Sequence, residues 1–301
     1  MAFLNKSGTN ILRISKIQRG IILHISEGNN AMCAGVTKVL LTHDVDGNDI
    51  ISKHEIVLAP TLNVSKDVYD EGGIVLLSNN TKDDEIEDKE RAYNIFCCLY
   101  KNVDKLSIEC ESMCDNKIKI LGINPLLAIE LMESAIEKNL IGMLQDVKEI
   151  HRYKNLRLED KINSTFTFIG IGSDDIPFIL DVANVTEVEL EVDSSEDVGD
   201  NCNTRSNLIA YYPSKNENDI NIKRINDLTT ICKESNIKCI IGYVIETDGV
   251  NYLDLNRNNK EYHEAIKSAV ENEVLIATLM VKWDINGYSK FDTDRVPVVR
   301  P

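Results

Sequence analysis

Ser164–Leu190 reads STFTFIGIGSDDIPFILDVANVTEVEL, and this stretch decides the fold. Its apolar runs predict two strands, near 163–171 and 177–184, with Asp174 and Asp175 in the turn between them. Gly170-Ile171-Gly172 reads as a strand-end turn rather than a phosphate loop. The second strand carries Asp181-Val182-Ala183.

Outward from this pair, strands alternate with helices. Upstream, PLLAIELMESAIEKNLIGML places Leu127, Leu131, Ala135 and Ile136 at helical spacing, with Asn124 as N-cap and Pro125 at the first helical position. Downstream, the pattern predicts a helix over about 219–236, a strand at 238–246, a helix at 259–272 and a strand at 274–283. A polar, acidic insertion, expected to be flexible, occupies about 192–206. Such alternation indicates an α/β core, with sheet strands covered by helices.

The first part of the chain reads differently. Short runs rich in Ile, Val, Leu and Thr at 19–25, 37–50, 55–64, 73–79, 93–100 and 117–123 are separated by Gly, Asn and Asp. They predict a small all-β barrel or sandwich. Asp46-Gly47 within DVDGND is a hairpin signal. It is not an EF-hand loop, because the later ligands are missing at their offsets. The expected division is therefore 1–122 and 123–301, and a chain of 301 residues has room for two cores.

Net charge is −16, which opposes a general electrostatic grip on nucleic acid, since that grip comes from cations neutralising phosphates. Acid concentrates in 83–90 and 193–200, read as solvated loops, with a basic protein partner as the sharper alternative. No apolar run approaches the roughly 18 residues of a membrane span, and no membrane partner is expected. The first twenty residues lack the apolar core of a secretory signal. With eight cysteines, this predicts reduced thiols in an intracellular setting, cytoplasmic or nuclear. Cys110 and Cys114 have a spacing that zinc allows, with Cys97 and Cys98 nearby; buried free thiols are the plainer reading. The five histidines are dispersed. No nucleophile elbow, P-loop or dinucleotide fingerprint occurs.

The order of GGIVLLSNN (72–80), GINPLLAIELMESAI (122–136), the paired strands, Tyr211-Tyr212-Pro213, INIKRINDL (220–228) and EYHEAIKSAVENEVLIATLMVKW (261–283) resembles the sugar fermentation stimulation proteins over nearly the whole length. That family pairs an R-I-D-F element with an E-V-K-S-V-T-L element fourteen residues after the Asp. FTF and LDVANVT keep that offset here, from Thr167 to Asp181. The resemblance implies an N-terminal OB-like barrel and a C-terminal restriction-endonuclease-like α/β domain.

Residue by residue, the resemblance removes the chemistry it would bring. The family's Arg falls on Thr165, its first catalytic Asp on Thr167, its Glu on Asp181 and its Lys on Ala183. A later Arg-Gly falls on Ile220 and Asn221. Its Lys is kept as Lys223, and its His becomes Arg224. Mg²⁺ needs several oxygen ligands in octahedral array, and an adjacent cation to orient the attacking water. Thr167 supplies a hydroxyl and Ala183 nothing, so Asp181 is the one carboxylate left as a metal ligand. Its plainer role is a strand carboxylate hydrogen-bonded to its surroundings.

The resulting expectation is a noncatalytic binding or scaffold protein without a cofactor. Nucleic acid is the implied partner, through Lys215, Lys223, Arg224 and Lys233. One alternative is a metal-dependent nuclease with relocated acids near Asp181, which would take Mg²⁺, with Asp174 or Asp175 as substitutes. Another is a protein-interaction subunit. An OB-like surface would also bind single strands by stacking, but aromatics are only 6% of the chain and show no basic-aromatic alternation.

Overall fold

The structure, a computed structural model, describes residues 6–14, 17–25, 36–43, 49–57, 74–79, 93–100, 119–122, 124–158, 162–192, 206–213, 220–255, 259–284 and 286–299. The strands in chain order are β1 (Asn10–Arg13), β2 (Ile17–Ile25), β3 (Val36–His43), β4 (Asp49–Val57), β5 (Ile74–Asn79), β6 (Tyr93–Tyr100) and β7 (Lys119–Gly122). Helix α1 (Pro125–Glu137) precedes β8 (Glu149–Leu158), β9 (Ile162–Ile171), β10 (Pro177–Val185), β11 (Glu187–Val192) and β12 (Ser206–Tyr211). Then come α2 (Ile220–Glu234), β13 (Lys238–Ile245), β14 (Tyr252–Asp254), α3 (Lys260–Glu271), β15 (Leu275–Trp283), β16 (Tyr288–Thr293) and β17 (Val298–Val299).

These elements form a mixed α/β fold with three sheets. The runs before residue 123 build an antiparallel six-stranded sheet ordered β4-β3-β2-β5-β6-β7. The Asp46-Gly47 turn lies outside the described residues, although β3 and β4 pair antiparallel on either side of it. The second sheet has seven strands, ordered β1-β16-β15-β13-β10-β9-β8, with β10, β13 and β15 parallel at its centre. β11, β12, β14 and β17 form a third, smaller sheet.

β1 comes from the stretch expected to open the barrel, yet it pairs with β16 at the edge of the seven-stranded sheet. Ile11 supplies the reason, because its side chain is buried in the core beneath α1.

Helices cover both faces of the seven-stranded sheet. α1 lies on one face, where Leu131, Met132 and Ala135 pack on Phe178, Leu180, Ile240 and Val244. α2 and α3 pack on the other face, against Ile179, Ile241, Tyr243 and Ile245. Alternation along β10 and β13 feeds both cores.

Local chemistry sets the helix ends. The Asn124 side chain accepts from the N–H of Leu126, and Pro125 opens α1 as expected. The apolar pattern continues to Leu144, but the helix stops at Glu137. Asn139 adopts a left-handed conformation there, at φ 55°. Leu140 N–H then bonds to Ala135 O at 2.8 Å, and Asn139 N–H to Ile136 O at 2.9 Å, which closes a Schellman motif. Asn259 caps α3 by accepting from Tyr262 N–H at 2.9 Å. No helix among the described residues is long and apolar enough to cross a membrane. Most of the acidic insertion, 193–205, lies outside the described residues.

Candidate functional site

Thr167 and Asp181 meet where β9 parts from β10. The antiparallel pairing runs from Ile171↔Pro177 to Phe168↔Leu180 and then ends. Phe166 and Phe168, two residues apart, enter opposite cores, so β9 changes face at Thr167. The Thr167 hydroxyl is used in both directions. It accepts from Val182 N–H at 3.0 Å and donates to Asp181 Oδ1 at 3.0 Å.

Helix α2 supplies the third partner. Arg224 Nε stands 3.2 Å from Asp181 Oδ2, and Nη1 donates to Oδ1 at 3.3 Å. The guanidinium thus spans both carboxylate oxygens, with its side chain 28% exposed against 11% for that of Asp181. Burial pushes the Asp181 carboxyl above its ordinary value, while Arg224 and the Thr167 hydrogen bonds pull it down.

Ala183 follows two residues along the same strand. It packs against the α2-side core and pairs in register with Tyr243, which is fully buried. Tyr243 and Tyr262 share a hydrogen bond of 2.5 Å between their hydroxyls, and Tyr212 meets both rings edge-on at 5.2 and 5.4 Å. An aromatic cluster built on Tyr243 therefore stands beside the position where the resemblance would put a lysine.

Among the described residues, the remaining candidate cations do not converge on Asp181. Lys223 turns to Asp227 Oδ2 at 2.7 Å and Ser164 Oγ at 2.9 Å, and Ser164 donates to the same carboxylate. This cluster stitches α2 to β9. Lys233 is exposed in the last turn of α2, and Lys215 lies outside the described residues. Asp175 pairs with Lys148 at 2.5 Å, while Asp174 accepts from Ile176 N–H inside the turn. Among the described residues, no group of three or more His, Cys, Asp or Glu side chains is placed to hold a metal ion. Cys110 and Cys114 lie outside them.

Sequence reading missed Ser164, Asp227 and Glu246. The first two carried a signal, since Lys223 and Asp227 are four apart on a helix and Ser164 is three before Thr167. Glu246 carried none beyond standing at the end of an apolar strand.

No family model and no curated protein matches the chain. Its fold is that of SfsA from Pyrococcus furiosus, a protein solved in complex with Ca²⁺: the two are 15% identical over 96% of this chain and 99% of that one, with a TM-score of 0.64.

Proposed function

We propose that this chain is a noncatalytic SfsA-like protein that acts by binding, its two units an OB-like barrel and a restriction-endonuclease-like domain. In this reading the second unit includes β1, because that strand extends the seven-stranded sheet. One observation carries the proposal: both oxygens of Asp181 are engaged by the Arg224 guanidinium. A cation beside the carboxylate repels a divalent ion, and Thr167 adds only a neutral oxygen that already serves Val182. The residues present therefore do not fit Mg²⁺.

Nucleic acid is the partner class we favour, with the exposed Lys233 and, from the sequence reading, Lys215 as its candidate contacts. Lys223 and Arg224 are largely committed to Asp227 and Asp181, so their share in phosphate contact is small. The test is an anisotropy titration with labelled single-stranded and duplex oligonucleotides at low and physiological salt. We expect weak, salt-sensitive binding, reduced by Lys233→Glu and by Lys215→Glu. No binding at low salt would remove nucleic acid as the partner and leave a protein ligand.

A cleavage assay with Mg²⁺ or Mn²⁺ and a Ca²⁺ titration belong beside it, since the Pyrococcus protein was solved with Ca²⁺. We expect neither cleavage nor ion binding, for wild type and Asp181→Ala alike. Cleavage lost in Asp181→Ala would instead establish a nuclease with relocated ligands.

A further inference from the structure

The seam between the six-stranded and seven-stranded sheets is closed on a carboxyl group. Gly122, the last residue of β7, donates its N–H to the carbonyl of Glu246 at 3.0 Å. Glu246 follows directly on β13 and is completely buried. Its side chain lies so close to Gly122 that a methyl group there would sit 1.9 Å from Oε2. A glycine is therefore required on β7 for the two sheets to meet.

The carboxyl is only half satisfied. Trp283 Nε1 donates to Oε2 at 2.8 Å, and Oε1 has no partner among the described residues. On the neighbouring strand, Asn184 pairs in register with Val244, two residues before Glu246. Alternation sends Asn184 and Glu246 out of the same face, toward the α1-side core that also contains Trp283. Both amide atoms of Asn184 are buried, with no partner among the described residues. Buried polar atoms without partners are rare, and two such side chains at the ends of adjacent strands call for a cause.

We propose that Glu246 and Asn184 form a proton-operated latch on this seam, closed while Glu246 is a neutral acid and loosened when it ionises. A protonated carboxyl carries the O–H donor that Oε1 lacks as an anion, and the Asn184 carbonyl oxygen is a free acceptor on the same face. Among the described residues, an anion at this place faces no compensating cation. β7 offers the apolar Ile120 and Leu121, β10 the neutral Asn184, and β15 the neutral Trp283. Lys282 on β15 spends its ammonium on Asp248 at 2.7 Å. Burial, offset in part by the Trp283 hydrogen bond, pushes the Glu246 carboxyl up to about 8, so proton release falls just above neutral pH.

The sign follows from linkage. Between the ordinary value of 4.5 and about 8, the folded protein holds a proton that the unfolded chain has released. The folding equilibrium then loses up to about tenfold per pH unit as pH rises through that window, and the loss levels off above it.

The test compares urea unfolding of wild type and Glu246→Gln from pH 5 to pH 10. The glutamine variant should gain on wild type steadily up to about pH 8 and then hold its advantage. Parallel curves would overturn the latch. Hydrogen exchange of the Gly122 amide supplies the local readout: in wild type it should speed up above pH 8 beyond ordinary base catalysis, and in Glu246→Gln it should not. Equal acceleration in both proteins would also sink the proposal. Should the glutamine variant fail to fold, infrared titration of wild type decides. A protonated-carboxyl band that persists at pH 7 and fades near pH 8 supports the latch, and its absence at pH 7 refutes it.

Discussion

Removing the Arg224 guanidinium leaves Asp181 buried, with the Thr167 hydrogen bonds to offset its charge. Breaking a buried ion pair costs several kcal/mol because the abandoned charge stays desolvated. Arg224 is a quarter exposed, so Arg224→Met should destabilise by about 3 kcal/mol, toward the lower end of that range. Adding Asp181→Leu should restore most of the loss, since an apolar pair carries no desolvation cost. Urea midpoints around this double-mutant cycle measure the coupling, and additive losses would show that the pair is not the unit described. Thr167→Val tests the hydroxyl separately. It strands the Val182 N–H and should cost about 1–3 kcal/mol. Restoring aspartate at 167 should be no better, because a carboxylate cannot donate to Asp181 and adds a like charge beside it.

Elements were more legible than contacts. Asn124-Pro125 marked the start of α1 because capping is local chemistry, readable from neighbouring residues. Asn259→Ala should cost about 1 kcal/mol in thermal unfolding, while Asn259→Ser should keep most of the cap. β9, β10, β13 and β15 were visible as apolar runs because they are buried on both faces. β8 was not: EIHRYKNLRL lies at the sheet edge, its described residues are largely exposed, and pairing with β9 sets its conformation. The end of α1 was also misplaced, since Leu140, Ile141 and Leu144 remain buried in the turns that follow the Schellman motif. In the site, the fourteen-residue frame made Thr167 and Asp181 neighbours on paper. That Arg224 reaches them depends on how α2 docks on the sheet, and no periodicity encodes that docking.

At the scale of the whole molecule, β1 and β16, far apart in the sequence, are tied into one sheet, so local stability at β1 reports on the α/β core. β1 and β16 are joined by backbone pairing and by Leu12 N–H donating to Ser289 Oγ at 2.9 Å. α1 adds to this, because Ser134 Oγ and Lys138 Nζ both donate to the Ile11 carbonyl, at 2.9 and 2.6 Å. Ile11 itself fills space beneath that helix. If the N-terminal residues served only the six-stranded sheet, shortening Ile11 would leave the α/β core untouched. With β1 in its observed place, Ile11→Ala opens a cavity against α1 and should cost about 2–4 kcal/mol. Amide exchange should then speed up in α1 and β16 while β3 and β4, far across the other sheet, keep their protection. Faster exchange confined to β2–β6 would assign the first residues to the six-stranded sheet instead.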